Sequence, residues 1–296
     1  PYPAGAQLFF RGVTAIQESI FALKVALVVC SVAIVFVLLQ LLRWSGEGMH
    51  WVLAYAWHPL LATDVAGSGH IDIVGALLLL VSFAALGRRW RTVAALAFGL
   101  AVAVKLLPIV LLPLYWKRIR ARDGALAAIV CGLLYLPFLR SGQIPIGSLG
   151  AYVQSFRFND PVFGALELVA APQLVAGLAV LVGILTAIWL RRRPGAWPSD
   201  AFAWPMAASL LCAPVVYPWY LIWLLPFLRT IWALPLTIWT VSIALTYYVW
   251  HLRTIGRPWL VPGWIMVLEY GAVVAGAAII GLRRLRQPAI PQCSAD

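Results

Sequence analysis

The feature that most constrains this chain is the length of its apolar runs. Residues 24–42, 71–86, 124–139 and 166–190 are almost unbroken stretches of aliphatic and aromatic side chains. About 20 such residues in a helix cross the hydrocarbon of a bilayer, and in lipid only a helix or a closed barrel satisfies its own backbone. A barrel would show alternating segments of about ten residues, and that alternation is absent here. The sequence therefore predicts an all-α, polytopic transmembrane helix bundle of about eleven crossings, several of them short or broken. The expected spans are 22–43, 51–66, 71–87, 92–104, 106–116, 124–139, 166–190, 201–214, 218–229, 231–249 and 261–282. They form one transmembrane domain over residues 1–286, followed by a polar tail at 287–296 that is expected to be disordered.

Composition agrees. Of the 296 residues 63% are hydrophobic and only 11% charged, where a water-soluble domain has about a quarter charged. Many of the 15 tryptophans stand at run ends, Trp44, Trp90, Trp116 and Trp250 among them, as interfacial belts require. The net charge of +12 would suit nucleic acid in a soluble protein. Here the cations sit in short loops between apolar runs, which excludes nucleic acid as the expected partner and points to the bilayer. Cys30, Cys131 and Cys212 lie in apolar runs and Cys293 in the tail, without metal or disulfide spacing.

The same cations orient the chain. Threading the eleven spans places 15 of the 22 Lys and Arg residues on one side, including Arg88–Arg91, Lys117–Arg122, Arg191–Arg193 and Arg283–Arg286. By the positive-inside rule that side, and the C-terminus, are cytoplasmic, and the polar segments meet on the extracytoplasmic side of a plasma membrane. One step decides the scheme. If 92–116 were a single span, Lys105 would lie mid-membrane at a cost of about 2.5–3.5 kcal/mol. A hairpin with Lys105 and Pro108 at its outer tip avoids that, and its short arms must then be sheathed by neighbours. Residues 1–20, 64–72, 140–165, 217–220 and 251–264 gather with that tip.

These outer segments carry the candidate chemistry. The stretch from Trp57 to Asp72 places His58, Asp64, His70 and Asp72 in an otherwise apolar run, and Gly67 and Gly69 break it. Ionisable groups at membrane depth usually face a cavity. A polar substrate site is the favoured reading, and a cap and turn, with Asp72 in the first turn of the next helix where the dipole favours a carboxylate, is the alternative. A metal held by Asp64, His70 and Asp72 has no supporting spacing, so no metal and no cofactor is expected. Lys105 reads as a lone cation between two short helices, suited to a phosphate or to snorkelling. The loop around Tyr152, Arg157 and Asn159 mixes aromatic and polar groups as a sugar site or an interfacial helix would. Tyr217 to Tyr220 end two spans on the same side, and Glu269 is expected to meet an outer arginine. No soluble-enzyme nucleophile or nucleotide motif occurs.

The run Ala66-Gly67-Ser68-Gly69-His70-Ile71-Asp72, followed by Gly99-Leu100-Ala101-Val102-Ala103-Val104-Lys105-Leu106-Leu107-Pro108, resembles the GT-C glycosyltransferases, and most of all the bacterial polyprenyl-phosphate-mannose-dependent α-mannosyltransferases. Pro1-Tyr2-Pro3 is similar to a Tyr-Pro-Pro element of that family, and Tyr217-Pro218-Trp219-Tyr220 to its late outer motif. Ile71 stands where Asn is common, and Ala4 where the second Pro is common. The resemblance implies a transferase that moves a sugar, mannose foremost, from a polyprenyl-phosphate donor to an extracytoplasmic glycan or glycolipid. It also implies that Tyr2, Asp64, His70, Asp72, Lys105, Arg157, Asn159, Tyr217 and Tyr220 contact substrate. The family's catalytic carboxylate lies upstream of the Tyr-Pro element, so the chain is expected to be a fragment whose general base precedes residue 1. A transporter or flippase for a lipid-linked or anionic substrate, and an O-antigen-type polymerase or ligase, are the rival readings.

Overall fold

The computed structural model describes residues 2–139, 149–192 and 199–286, with the side chains of 284–286 left aside. Residues 1, 140–148, 193–198 and 287–296, with the expectations for Pro1, Arg193 and a disordered tail, lie outside the described residues. The described chain is helical, with no strand; one isolated bridge joins Phe158 and Val215.

Among the described residues, five helices are long and apolar enough to cross a bilayer: Ile20–Ser45, Ala121–Leu139, Pro172–Arg191, Ile231–Thr254 and Gly263–Arg283. Leu61–Gly67 and Asp72–Gly87 make a sixth candidate, bent by 114° at the break between them. Arg91–Val104 and Pro218–Phe227 are apolar but shorter. All eleven apolar runs fall on helical segments, while length and composition together qualify five of them, or six with the bent pair. The long helices turn much of their apolar surface outward: Phe21, Phe36, Leu174 and Val267 are all exposed. A patch of that extent would drive aggregation in water and needs lipid to cover it. The chain is thus a multi-pass membrane protein.

Boundaries shift where turn chemistry intervenes. The run read as 166–190 begins its long helix only at Pro172, which occupies a first-turn position, and residues 161–166 form a separate short helix. The segment 1–20, read as a polar outer stretch, carries a helix, Ala4–Ile16, whose Ala4 and Ala6 are fully buried. It packs against Arg91–Val104 through this small-residue face.

Polar bonds show that residues 91–115 double back. Thr92 donates to Asp123 Oδ1 at 2.7 Å, joining the starts of two helices. Ser82 donates to the Ala94 carbonyl at 2.6 Å and shares a hydrogen bond of 2.7 Å with Tyr115. Residues 92, 94, 115 and 123 therefore lie at one end. Lys105 lies at the other, in extended conformation where the Arg91–Val104 helix stops, with a 3-10 turn at Leu107–Leu111 after it. This is the hairpin expected from the charge pattern. Its arms are sheathed by Asp72–Gly87, Ala121–Leu133 and Pro172–Arg191.

Candidate functional site

The break between Leu61–Gly67 and Asp72–Gly87 builds the site. Leu61–Gly67 is wound as a π-helix, a form that often marks functional positions. Gly69 follows at φ 77°, a left-handed conformation open to glycine without strain. The chain then turns sharply into a helix whose first residue is Asp72.

Asp72 is 1% exposed, and its Oδ1 accepts from Lys105 Nζ and from Trp223 Nε1, each at 2.7 Å. Lys105 Nζ also stands 3.4 Å from the centroid of the Tyr220 ring. The lysine is thus not a lone charge. A buried cation is stable only when paired, and here a carboxylate and an aromatic face supply the pairing. Asp72 in turn works as the hub of two helices and a 3-10 turn rather than as a simple first-turn charge. Tyr220 shares a hydrogen bond of 3.1 Å with Tyr152. Tyr2 lies near the same group. Burial first, and then the charge of Asp72, raise its phenol above the ordinary value.

An aromatic stack adjoins this pair. His70 lies flat on Trp219, with ring centroids 3.8 Å apart and planes 10° apart, and Trp219 lies on Tyr217 at 4.3 Å and 14°. Tyr217 meets Tyr220 edge to face at 5.8 Å. Asp64, also 1% exposed, accepts from Tyr247 at 2.6 Å and from Thr63 at 3.0 Å, while His70 Nε2 is 4.0 Å away. Asp64, His70 and Asp72 engage different partners, and among the described residues no three His, Cys, Asp or Glu side chains converge as a metal site would require.

Two expected contact residues of the neighbouring loop are already engaged, one within the loop and one with the last helix. Arg157 donates to Glu167 Oε2 through Nε at 2.9 Å and again through Nη2, and to the Val153 and Phe156 carbonyls. Asn159, at φ 53°, donates its amide to both oxygens of Glu269 at 3.0 and 3.1 Å. Trp239 Nε1 supplies Glu269 with a further bond at 2.7 Å. Glu269 therefore meets an amide and an indole, not the expected arginine: three N–H bonds satisfy the carboxylate at less desolvation cost than a second buried ion. Phe158 and Val216 close the loop against the Tyr217 segment by a bond from Val216 N to Phe158 O at 2.8 Å.

Tyr2, Asp72, Lys105 and Tyr220 thus form one cluster, with His70, Tyr217 and Asp64 beside it. Arg157 and Asn159 instead pin the loop that borders them. Sequence reasoning missed Trp223 and Tyr247, which complete the bonding of Asp72 and Asp64. The one hint lay in Gly75, which stands one helical turn from Asp72 and leaves room for an indole. No protein family, characterised protein or solved structure matches this chain.

Proposed function

We propose that this protein is a membrane glycosyltransferase of the GT-C type. It moves a sugar, mannose foremost, from a polyprenyl-phosphate donor to an extracytoplasmic glycan or glycolipid. In this reading the chain crosses a plasma membrane eleven times, and the Lys105 end faces outward because Lys and Arg are concentrated at the other end.

The observation that carries the reading is the placement of Lys105. It is held by Asp72 and Tyr220 where two broken helical pairs meet, beside the flat faces of Trp219, Tyr217 and His70. Aromatic faces bordered by hydroxyl and carboxylate groups suit the ring and hydroxyls of a sugar. A fixed cation offsets the charge that grows on a departing phosphate. In the transfer, the acceptor oxygen bonds the sugar's anomeric carbon, the bond from that carbon to the phosphate oxygen breaks, and the lipid phosphate keeps the electron pair. The hydroxyl proton passes to a general base. Asp64 and Asp72 already accept short hydrogen bonds, and neither is assigned that role.

Membranes carrying the full coding frame, given radiolabelled polyprenyl-phosphate mannose, should pass label to an endogenous glycan or glycolipid. Lys105→Ala should remove that transfer while the protein still inserts. Near-normal turnover in Lys105→Ala would take Lys105 out of the site, and no transfer from any polyprenyl-phosphate hexose by the wild type would end the reading.

The 114° break favours one rival, because discontinuous helices also build transporter sites. Movement of a labelled lipid-linked sugar across sealed vesicles, without transfer to an acceptor, would select it.

A further inference from the structure

A concave site lies at the opposite end of the bundle from Lys105, between the second arm of the hairpin and the end of the Pro172–Arg191 helix. It is a groove of about 890 Å³. Leu112, Trp116, Ile119 and Ile188 give it an apolar wall. Lys117, Arg120, Arg191 and Arg192 line the same groove, and no acidic residue does. Among the described residues, no carboxylate forms an ion pair with these four cations; Asp123 accepts instead from the Arg120 backbone N–H at 3.2 Å and from Thr92.

The groove has a defined shape. Arg191 is anchored through Nη1 to the Pro113 carbonyl at 2.9 Å, which ties the long helix to the arm. Lys117 sits at φ 61°, a left-handed conformation that turns the chain sharply between arm and next helix. Trp116 is exposed beside it, as an interfacial anchor would be.

Four cations at the mouth of an apolar slot, at the ends of membrane helices, complement one molecule: a lipid with a negative phosphate and an acyl chain. We propose that this groove binds an anionic glycerophospholipid of the adjoining leaflet, with its phosphate among Lys117, Arg120 and Arg192 and an acyl chain along Leu112, Ile119 and Ile188. Basic pockets between helix ends are the recurrent form of such sites. The acyl chain separates this occupant from a free anion, because an anion alone leaves the apolar wall unused. The site is independent of the sugar reading, from which it is separated by the length of the hairpin.

The test uses the full chain purified in mild detergent, probed with phosphatidylglycerol and with phosphatidylcholine of the same acyl chains. Native mass spectrometry reads the lipid retained. The wild type should keep phosphatidylglycerol in preference to phosphatidylcholine. Replacing Lys117, Arg120 and Arg192 by Gln should lower that retention, by about fivefold for each cation removed. A second variant fills the slot and leaves every charge. Gly124 lines the groove, and a β-carbon there would meet Ile119 Cδ1 at an ordinary 3.7 Å, so Gly124→Leu adds apolar bulk at the groove wall. It should reduce retention as well. Equal retention of the two lipids by the wild type would overturn the proposal. So would undiminished phosphatidylglycerol on folded Gly124→Leu, which would mean diffuse surface attraction. Full displacement by inorganic phosphate would also overturn it, since the ligand would then be a free anion. The two variants act by different means, so failure of one to fold leaves the other decisive.

Discussion

Trp223 lies directly over Gly75. A β-carbon at residue 75 would fall 1.9 Å from the indole Cη2, and the same indole donates to Asp72 one turn earlier. The close approach and the hydrogen bond are one arrangement, because only a residue without a side chain lets the ring reach the carboxylate. Gly75→Ala should therefore push the indole away and lose the bond. Overpacking of this kind costs about 1–3 kcal/mol, read as a lower unfolding temperature in detergent. Trp223→Phe should cost a comparable amount by leaving Asp72 with one donor fewer. An unchanged midpoint in Gly75→Ala would show that the indole is held by other contacts.

The Asp72–Lys105 pair should behave as a unit. Asp72 is buried while Lys105 is partly exposed, so Lys105→Met strands a buried carboxylate and should cost about 3 kcal/mol. Asp72→Asn leaves a cation that water still reaches and should cost less. The double variant should fall well short of the sum, and strictly additive losses would mean that the two groups do not support each other.

Much of this architecture is legible in the sequence, and the limit is physical. The hairpin can be read because a single span would drown Lys105 and split the cation clusters between two faces. Which carboxylate meets Lys105 cannot be read: Asp72 is 33 residues away, and the Trp223 that shares it is 151 residues from Asp72. Local periodicity carries no information at that separation. Glu269 misled for a related reason. A buried carboxylate needs donors, and the pattern does not say whether they are cationic or neutral. The Ala4–Ile16 helix did leave a trace, in the small residues Ala4, Gly5 and Ala6, which permit close packing wherever a partner exists.

Asn159 supplies a sharper test of the loop. Asn159→Asp would set a second carboxylate about 3 Å from Glu269, where two negative charges cannot both persist. The variant should lose about 3 kcal/mol or more near neutral pH and regain part of it in acid. Asn159→Ala should lose less and show no such recovery. Hydrogen exchange across 156–163 would report whether the loop opens.

Asp160, next in the chain, gives a pH dependence. Burial pushes its carboxyl up to about 6, against smaller opposing pulls from its own backbone N–H and then from Arg157. The charge of Glu167 raises it further. Because the folded form holds its proton more tightly than the unfolded one, the contribution to stability is fully present below the ordinary carboxylate range. It is lost as pH rises through about 6. The expected size is on the order of 1 kcal/mol after solvent screening. Melting curves between pH 4 and 7 should show this slope in the wild type and lose it in Asp160→Asn. A slope that survives the substitution would belong to another group.

The 3-10 winding of Pro218–Trp223 has a consequence of its own. A 3-10 turn rises about 2.0 Å per residue against 1.5 Å for an α-helix, so its six residues reach about 3 Å farther than they would as α-helix. The reach of this segment, and with it the height at which Trp219 and Tyr220 stand relative to Lys105, is fixed by the pitch of the backbone. Pitch acts here as a ruler, and rewinding one short stretch of chain would reset the depth of the whole aromatic floor without changing a single side chain on it.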